Sequence, residues 1–356
     1  MAYSVFAGVG QWRAATDHSR AQGLFGLDAE SGTWRSLTEG LPEDVEVRHL
    51  AIRPDAPSTV FAGTQHGPYR STDGGATWQA CPLPDGTPPE EKVVWSTRLH
   101  PADPNTIFVG TQNTGVFRSR DNGDSWERLP VASPPGAVDM NFPMRVIEIL
   151  LDPSAPDEIY VALEVGGVVR SVDGGATWAS CNEGLLYFAE RSDLKSRILS
   201  NTDTEGMMDS HALSLSPAHP GVLWLANRMG LFVSGDKGDT WEQVEIARYS
   251  DLTYARDVQV SRHAPDSLYA AFSGAAISDA GSLYRSTDFG TTWARFDKGV
   301  SIDSTLMAIA QSAATPDRVY CAARRGQIFG TEDGGVTWRE FPLPEGVEGV
   351  YGLACA

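Results

Sequence analysis

An eight-residue phrase ending in tryptophan returns along the whole chain, and a period of this kind restricts the fold more than any other feature. Its cleanest copies are Ser71-Thr-Asp73-Gly-Gly75-Ala-Thr77-Trp78 and Ser171-Val-Asp173-Gly-Gly175-Ala-Thr177-Trp178. Further copies end at Trp126, Trp241, Trp293 and Trp338, and a degraded one running from Asp28 to Trp34 opens the series. The tryptophans recur roughly every 50 residues, the length of one supersecondary unit repeated in register.

One such unit can be read directly. Val45–Ile52 has the composition of a strand and is followed by the Pro-rich turn Arg53–Thr59. Val60–Gly63 reads as a second strand, Gly67–Ser71 as a third, and Thr77–Cys81, after the Asp-Gly-Gly turn, as a fourth. Short β-branched and aromatic runs bounded by Gly, Pro and Asp are strand signals. Four strands per unit and seven units predict an all-β fold: a single seven-bladed β-propeller of four-stranded antiparallel blades over residues 1–356. The chain ends supply the closure. Gly349–Ala356 resembles a first strand with nothing after it, and Tyr3–Gly8 matches a second strand with nothing before it. The C-terminal strand is therefore expected to complete the N-terminal blade and remove two open sheet edges.

The formal net charge of -18, with no long basic run, argues against nucleic acid and anionic membranes as partners. Cys81, Cys181, Cys321 and Cys355 show no metal-type spacing. Cys81 and Cys181 occupy equivalent places in different repeats, so they are expected to be reduced and buried. The opening residues lack the basic and apolar regions of a leader, and no run reaches the ~18 apolar residues of a membrane span, so the expectation is a cytoplasmic protein.

The Ser-x-Asp-x-Gly-x-Thr-Trp phrase is identified as the Asp-box, or bacterial neuraminidase repeat. The first copy departs from it, because Asp28 stands six residues before Trp34 where the others have five. The motif's chemistry is structural. A short Asp side chain accepts backbone N–H bonds across a tight turn, Gly supplies a positive φ, and Trp brings a large apolar face for packing between blades. Asp-boxes occur in sialidases, xyloglucan-specific glycoside hydrolases, sortilin ectodomains and photosystem II assembly factors. The resemblance covers essentially the whole chain and implies the fold; activity has to be argued from a site. No Arg-Ile-Pro phrase of the sialidases occurs. The xyloglucanases use two propellers flanking a cleft, where this chain has repeats for one.

Ligands of propellers sit at the mouth of the central channel, on the face away from the Asp-box turns. Aligned inner strands put Arg48, Trp95, Ile147, His211, Arg256, Met307 and Tyr351 in equivalent positions. Arg145, Glu148, Asp209 and Asp257 lie within two residues of that ring, and the loops joining second and third strands add His66, Glu164 and Arg228. The expectation is a polar pocket. His211, Glu148, Glu164 and Tyr351 are its catalytic candidates, with Glu148 or Glu164 as the partner of His211. Arg48, Arg256, Trp95, His66, Arg145 and Asp257 are its binding candidates, Arg48 and Arg256 clamping an anionic group. No cofactor is required. A divalent metal held by His66, His211 and a carboxylate is a variant without spacing in its favour. The insertion Gly184–Leu199 reads as a short helix or lid over the mouth beside His211, and Pro130–Met144 as a second long link at the same face.

Two functions stay open at this point. One is an enzyme acting on a small polar or anionic substrate, in particular a carbohydrate, by hydrolysis or elimination. The other is a non-catalytic binding or assembly propeller with a protein partner, similar in role to the photosystem assembly factors.

Overall fold

The computed structural model describes residues 3–10, 23–28 and 30–356. They form seven four-stranded antiparallel sheets, one per repeat, each joined through its inner strand to the next. The inner strands, in order from blade 1, are Val350–Cys355, Val47–Ile52, Val94–Leu99, Val146–Asp152, Ser210–Leu215, Tyr254–Val260 and Leu306–Gln311. Blade 1 is closed as expected. Val350–Cys355 pairs antiparallel with Tyr3–Val9, with Val5 opposite Cys355 and Ala7 opposite Leu353. Gly23–Asp28 and Trp34–Ser36 complete the sheet.

The Asp-box turns are clasps between blades. In blade 2 the Ser71 hydroxyl donates to Asp73 and accepts the Gly75 N–H at 2.8 Å. Asp73 also accepts the Thr77 N–H at 2.9 Å and the Thr77 hydroxyl at 2.6 Å. Those donors hold the Asp73 carboxyl down to about 2. The same set recurs around Asp121, Asp173, Asp236, Asp288 and Asp333. The glycine two residues after the aspartate of each box presses on the preceding blade. Gly75, at φ +91°, would put a Cβ 2.9 Å from the Phe6 ring, and Gly290, at φ +83°, would put one 2.1 Å from Trp224. Gly123 and Gly238 bear on Cys81 and Cys181, which explains why small buried thiols recur there. The Trp241 indole donates to the Cys181 carbonyl and the Trp338 indole to the Phe296 carbonyl, each on the preceding blade. The degraded first copy folds differently: Asp28 accepts from the N–H groups of Glu30 and Ser31, one residue nearer than in the other boxes.

The core is a series of interblade clusters. Phe6, Leu24 and Leu37 of blade 1 meet Val47, Val60 and Trp78 of blade 2, for example. The 184–199 insertion joins this system through the short helix expected at its start. Helix α1 (Glu183–Ala189) buries Leu185 and Ala189 with Phe232 and Trp241 of blade 5. Ile198, expected on the apolar side, is exposed. Helix α2 (Glu205–Met208) is wholly buried and runs directly into Asp209 and the inner strand that carries His211. The Glu205 carboxylate accepts the N–H groups of Ile198, Leu199 and Ser200 and so ties the insertion back onto α2. No helix among the described residues is long and apolar enough to cross a membrane.

Candidate functional site

Each inner strand carries one residue more than its neighbour at the same place. In blade 2, Val47 pairs with Thr64 and His49 with Gly63, leaving Arg48 without an opposite. The same break leaves out Trp95, Ile147, His211, Arg256 and Met307, and in blade 1 Tyr351. These are the seven residues of the aligned ring. A β-bulge turns its extra side chain out of the alternation and is a common way to aim a residue at a site. Here the bulges bring Arg48, Trp95 and Tyr351, from three separate blades, into contact. Trp95 of blade 3 and Tyr351 of blade 1 meet edge to face with centroids 5.8 Å apart, across the intervening blade.

Five candidates converge there: Arg48, Trp95, Arg145, Glu164 and Tyr351. The Arg48 guanidinium lies 4.5 Å from the Trp95 ring centre and pairs with Glu46. Arg145 lies 4.3 Å from the same indole and 4.8 Å from Phe142, which the 130–144 link brings to the mouth. Arg145 also donates to both oxygens of Glu164, at 2.8 and 3.0 Å. Burial pushes the Glu164 carboxyl up; Arg145 pulls it back, and nearby Asp209 adds to the rise. Burial also takes the Tyr351 phenol up to about 12.

His211 lies beside this group, but its carboxylate neighbour is Asp209, at 3.6 Å, and not Glu148 or Glu164. His211 Nδ1 lies 2.7 Å from the Ala255 carbonyl, which can only accept, so Nδ1 carries the proton. Nε2 then faces the Tyr254 hydroxyl at 3.2 Å. Burial holds His211 below the usual imidazole range in spite of Asp209. Burial also works against the charge on Asp209, yet His211 and the Arg228 guanidinium, whose Nε donates at 2.8 Å, outweigh it and keep that carboxyl well below its ordinary value. Blades 4 and 5 thus use the same two slots, the residue two before the bulge and the start of the next loop, with the charges exchanged: Arg145 with Glu164, then Asp209 with Arg228.

Two candidates lie elsewhere. Glu148 and Asp257 each follow a bulge residue and turn down the channel, into a cavity of ≈ 1230 Å³ lined toward the Pro-rich turns by His49, Arg98, Gln259, His100 and His263. Glu148 approaches Arg98 at 3.5 Å. Asp257 accepts the Ile309 N–H at 2.8 Å and is pushed up to about 7, mainly by burial. The one-residue shift made by the bulge accounts for their separation from His211. His66 stands on the rim, 2.9 Å from Asp44, with neither side chain deeply enclosed. Among the described residues no group of three His, Cys, Asp or Glu side chains is placed to hold a metal ion. Arg48 and Arg256 do not form the expected clamp, because Arg48 is committed to Glu46 and Trp95. Sequence reasoning missed Glu46, Phe142 and Tyr254 and gave Asp209 no role. Glu46, Arg145, Asp209 and Tyr254 all stand two residues before a ring position, the spacing that returns to one face of a strand, and that was the available signal.

A BNR/Asp-box repeat family model matches residues 69–80. The chain is 24% identical over 257 residues, 70% of its length, to a probable oligoxyloglucan-reducing end-specific xyloglucanase of Neosartorya fischeri, of which it spans 29%. It therefore covers less than a third of that curated relative. The GH74 xyloglucanase from Xanthomonas campestris superposes with a TM-score of 0.64 at 17% identity, over 86% of this chain and 46% of that one. YCF48 from Cyanidioschyzon merolae superposes with a TM-score of 0.60 at 16% identity, over 87% and 88% of the two chains, and a structure of YCF48 bound to D1 peptide does so at 0.52. These likenesses concern the fold. Six fully formed Asp-box turns and a seventh altered one, carried on a seven-bladed ring, make this chain similar to the BNR/Asp-box repeat β-propellers.

Proposed function

We propose that this chain is a carbohydrate-hydrolysing propeller whose active site is the bulge-ring mouth. The observation that carries the reading is the pair Glu164 and Asp209, neighbouring acids whose surroundings push their protonation in opposite directions. Glycoside hydrolysis needs such a pair, one carboxyl that keeps its proton and one that stays ionised. Glu164 donates its proton to the leaving glycosidic oxygen. Asp209 takes a proton from the water that attacks the anomeric carbon, and His211 and Arg228 hold Asp209 in place. The Trp95, Tyr351 and Phe142 rings around the two arginines offer apolar faces for a sugar ring. The xyloglucanase relatives support the substrate class, and the specific glycan is not carried over from them. Elimination at the same mouth would use the same acids but leave an unsaturated sugar, so product absorbance separates the two reactions.

Reducing-end release from a panel of polysaccharides tests the reading. Glu164→Gln and Asp209→Asn are each expected to lower the rate by about 10²–10⁴-fold, with unchanged far-ultraviolet circular dichroism. Activity that survives Glu164→Gln within a few-fold removes Glu164 as the acid. No release from any glycan favours the alternative, a peptide-binding or assembly propeller, for which the near full-length match to YCF48 is the supporting observation.

A further inference from the structure

Within the mouth, Arg48, Arg145 and Arg228 each have a carboxylate. Arg256 does not. Among the described residues it forms neither an ion pair nor a hydrogen bond, although it stands at the bulge of its strand like the other ring residues. Its charge is felt on other blades. From blade 6 its charge acts on Glu164 of blade 4 and on Tyr351 of blade 1, each separated from it by a whole blade. A guanidinium with no carboxylate in ion-pair contact is unusual inside a chain of net charge -18, although the buried Glu164 and Asp257 carboxyls feel its charge from farther away.

We propose that Arg256 makes the mouth selective for glycans bearing a carboxylate, that is, for a uronic acid residue in the bound segment. The proposal rests on the reading of the mouth as a carbohydrate site. A planar carboxylate matches the guanidinium fork with two parallel hydrogen bonds. A phosphate dianion fits less well, since the ionised Asp209 of the same mouth repels a second negative charge. The aromatic faces of Trp95 and Tyr351 then hold the sugar ring while Arg256 reads its acid group. In this scheme Arg256 does not take part in proton transfer; it decides which sugar lies between the two acids.

The experiment is calorimetric titration of the full chain with galacturonate, with galactose, and with a short acidic peptide, on wild type, Arg256→Met and Arg256→Lys. Galacturonate is expected to bind about tenfold or more tightly than galactose to the wild type. Arg256→Met should bring the two to parity, and Arg256→Lys should keep part of the preference. Since Arg256 has no hydrogen bond or ion pair to lose among the described residues, the ligand-free melting temperatures of the variants should equal the wild type's, which separates lost recognition from lost fold. Equal binding of the two sugars, a preference that survives Arg256→Met, no response to either sugar, or binding of the peptide alone overturns the proposal. Reducing-end release measured in parallel keeps the two readings apart. Hydrolysis of a neutral glycan without uronate preference removes only this proposal. Uronate preference without hydrolysis removes only the catalytic one.

Discussion

The Asp-box turns and the bulge ring are both built from seven equivalent backbone positions, and they use the repeat in opposite ways. Six boxes keep the aspartate, its two hydroxyl partners, the same hydrogen bonds and the same close approach of a glycine to the blade before. The ring keeps the backbone irregularity and varies everything attached to it, from Met307 to Trp95 to Arg256. Where every copy meets the same neighbour, one solution serves all. Where the copies face a shared axis, no two meet the same surroundings, and the side chains are free to specialise. Constant chemistry in a repeat marks the scaffold, and diverse chemistry on a constant irregularity marks the site.

The comparison breaks most severely if the ring of blades is opened. Removing residues 349–356 takes away the inner strand of blade 1 and exposes the Tyr3–Val9 edge. Such a protein should fail to fold as a monomer, with loss of the cooperative melt and association seen by light scattering. An unchanged melting temperature in a monomer would mean that closure contributes little. A smaller loss is expected from Gly290→Ala. The added Cβ falls 2.1 Å from buried Trp224, at a φ of +83° that side chains avoid, and about 3 kcal/mol or more should be lost in chemical denaturation. Asp73→Ala leaves the backbone intact and removes the acceptor for Thr77, at a cost of about 1–2 kcal/mol. On the other side of the comparison, a ring variant as drastic as Arg256→Met should leave stability unchanged. If it destabilises as much as Asp73→Ala, the ring belongs to the scaffold too.

The repeat, the strand count and the closure of blade 1 were legible because each depends on local composition and period. The ring was legible for the same reason: seven inner strands aligned on their own residues give the right seven positions. What lay around the ring was not. Glu148 and Asp257 sit next to ring residues in sequence, but the bulge shifts the alternation and sends them into the lower cavity. His211 was matched to Glu148 or Glu164 by proximity along the blades, while Asp209, two residues away on the same strand face, holds the position. The insertion reads as a short helix or lid; the helix is there, and it carries Leu185 and Phe188. Their partners, Phe232 and Trp241, belong to the next blade, and nothing local announces them. Sequence pattern reports what a residue is and which way its strand points. It does not report which neighbour fills the gap.

The finest test sets one aspartate against another. Asp73, in the box, has a folded value of about 2, below its ordinary 3.8, because the Thr77 hydroxyl and N–H stabilise its charge. Its contribution to stability is present above pH 4 and is lost as pH falls toward 2. Asp257, in the channel, lies on the other side. Burial takes it to about 7, the Ile309 N–H pulls it back, and Glu148 raises it further; Gln259 and Arg256 are the remaining groups acting on it. The folded state therefore binds more protons than the unfolded one between about pH 4 and 7, and stability falls as pH rises through that window, levelling above it. Asp257→Asn keeps a carbonyl oxygen for the Ile309 N–H and removes the charge. At pH 8 the variant should melt about 2–4 °C above the wild type, and at pH 4, where the wild-type carboxyl already holds its proton, the two should coincide. If Asp257→Asn instead lowers the melting temperature at pH 8 and not at pH 4, the Asp257 carboxylate is a net stabilising partner of Arg256. In that case the guanidinium is compensated from below, and the anion it is proposed to recognise would have to compete with a charge of the protein's own.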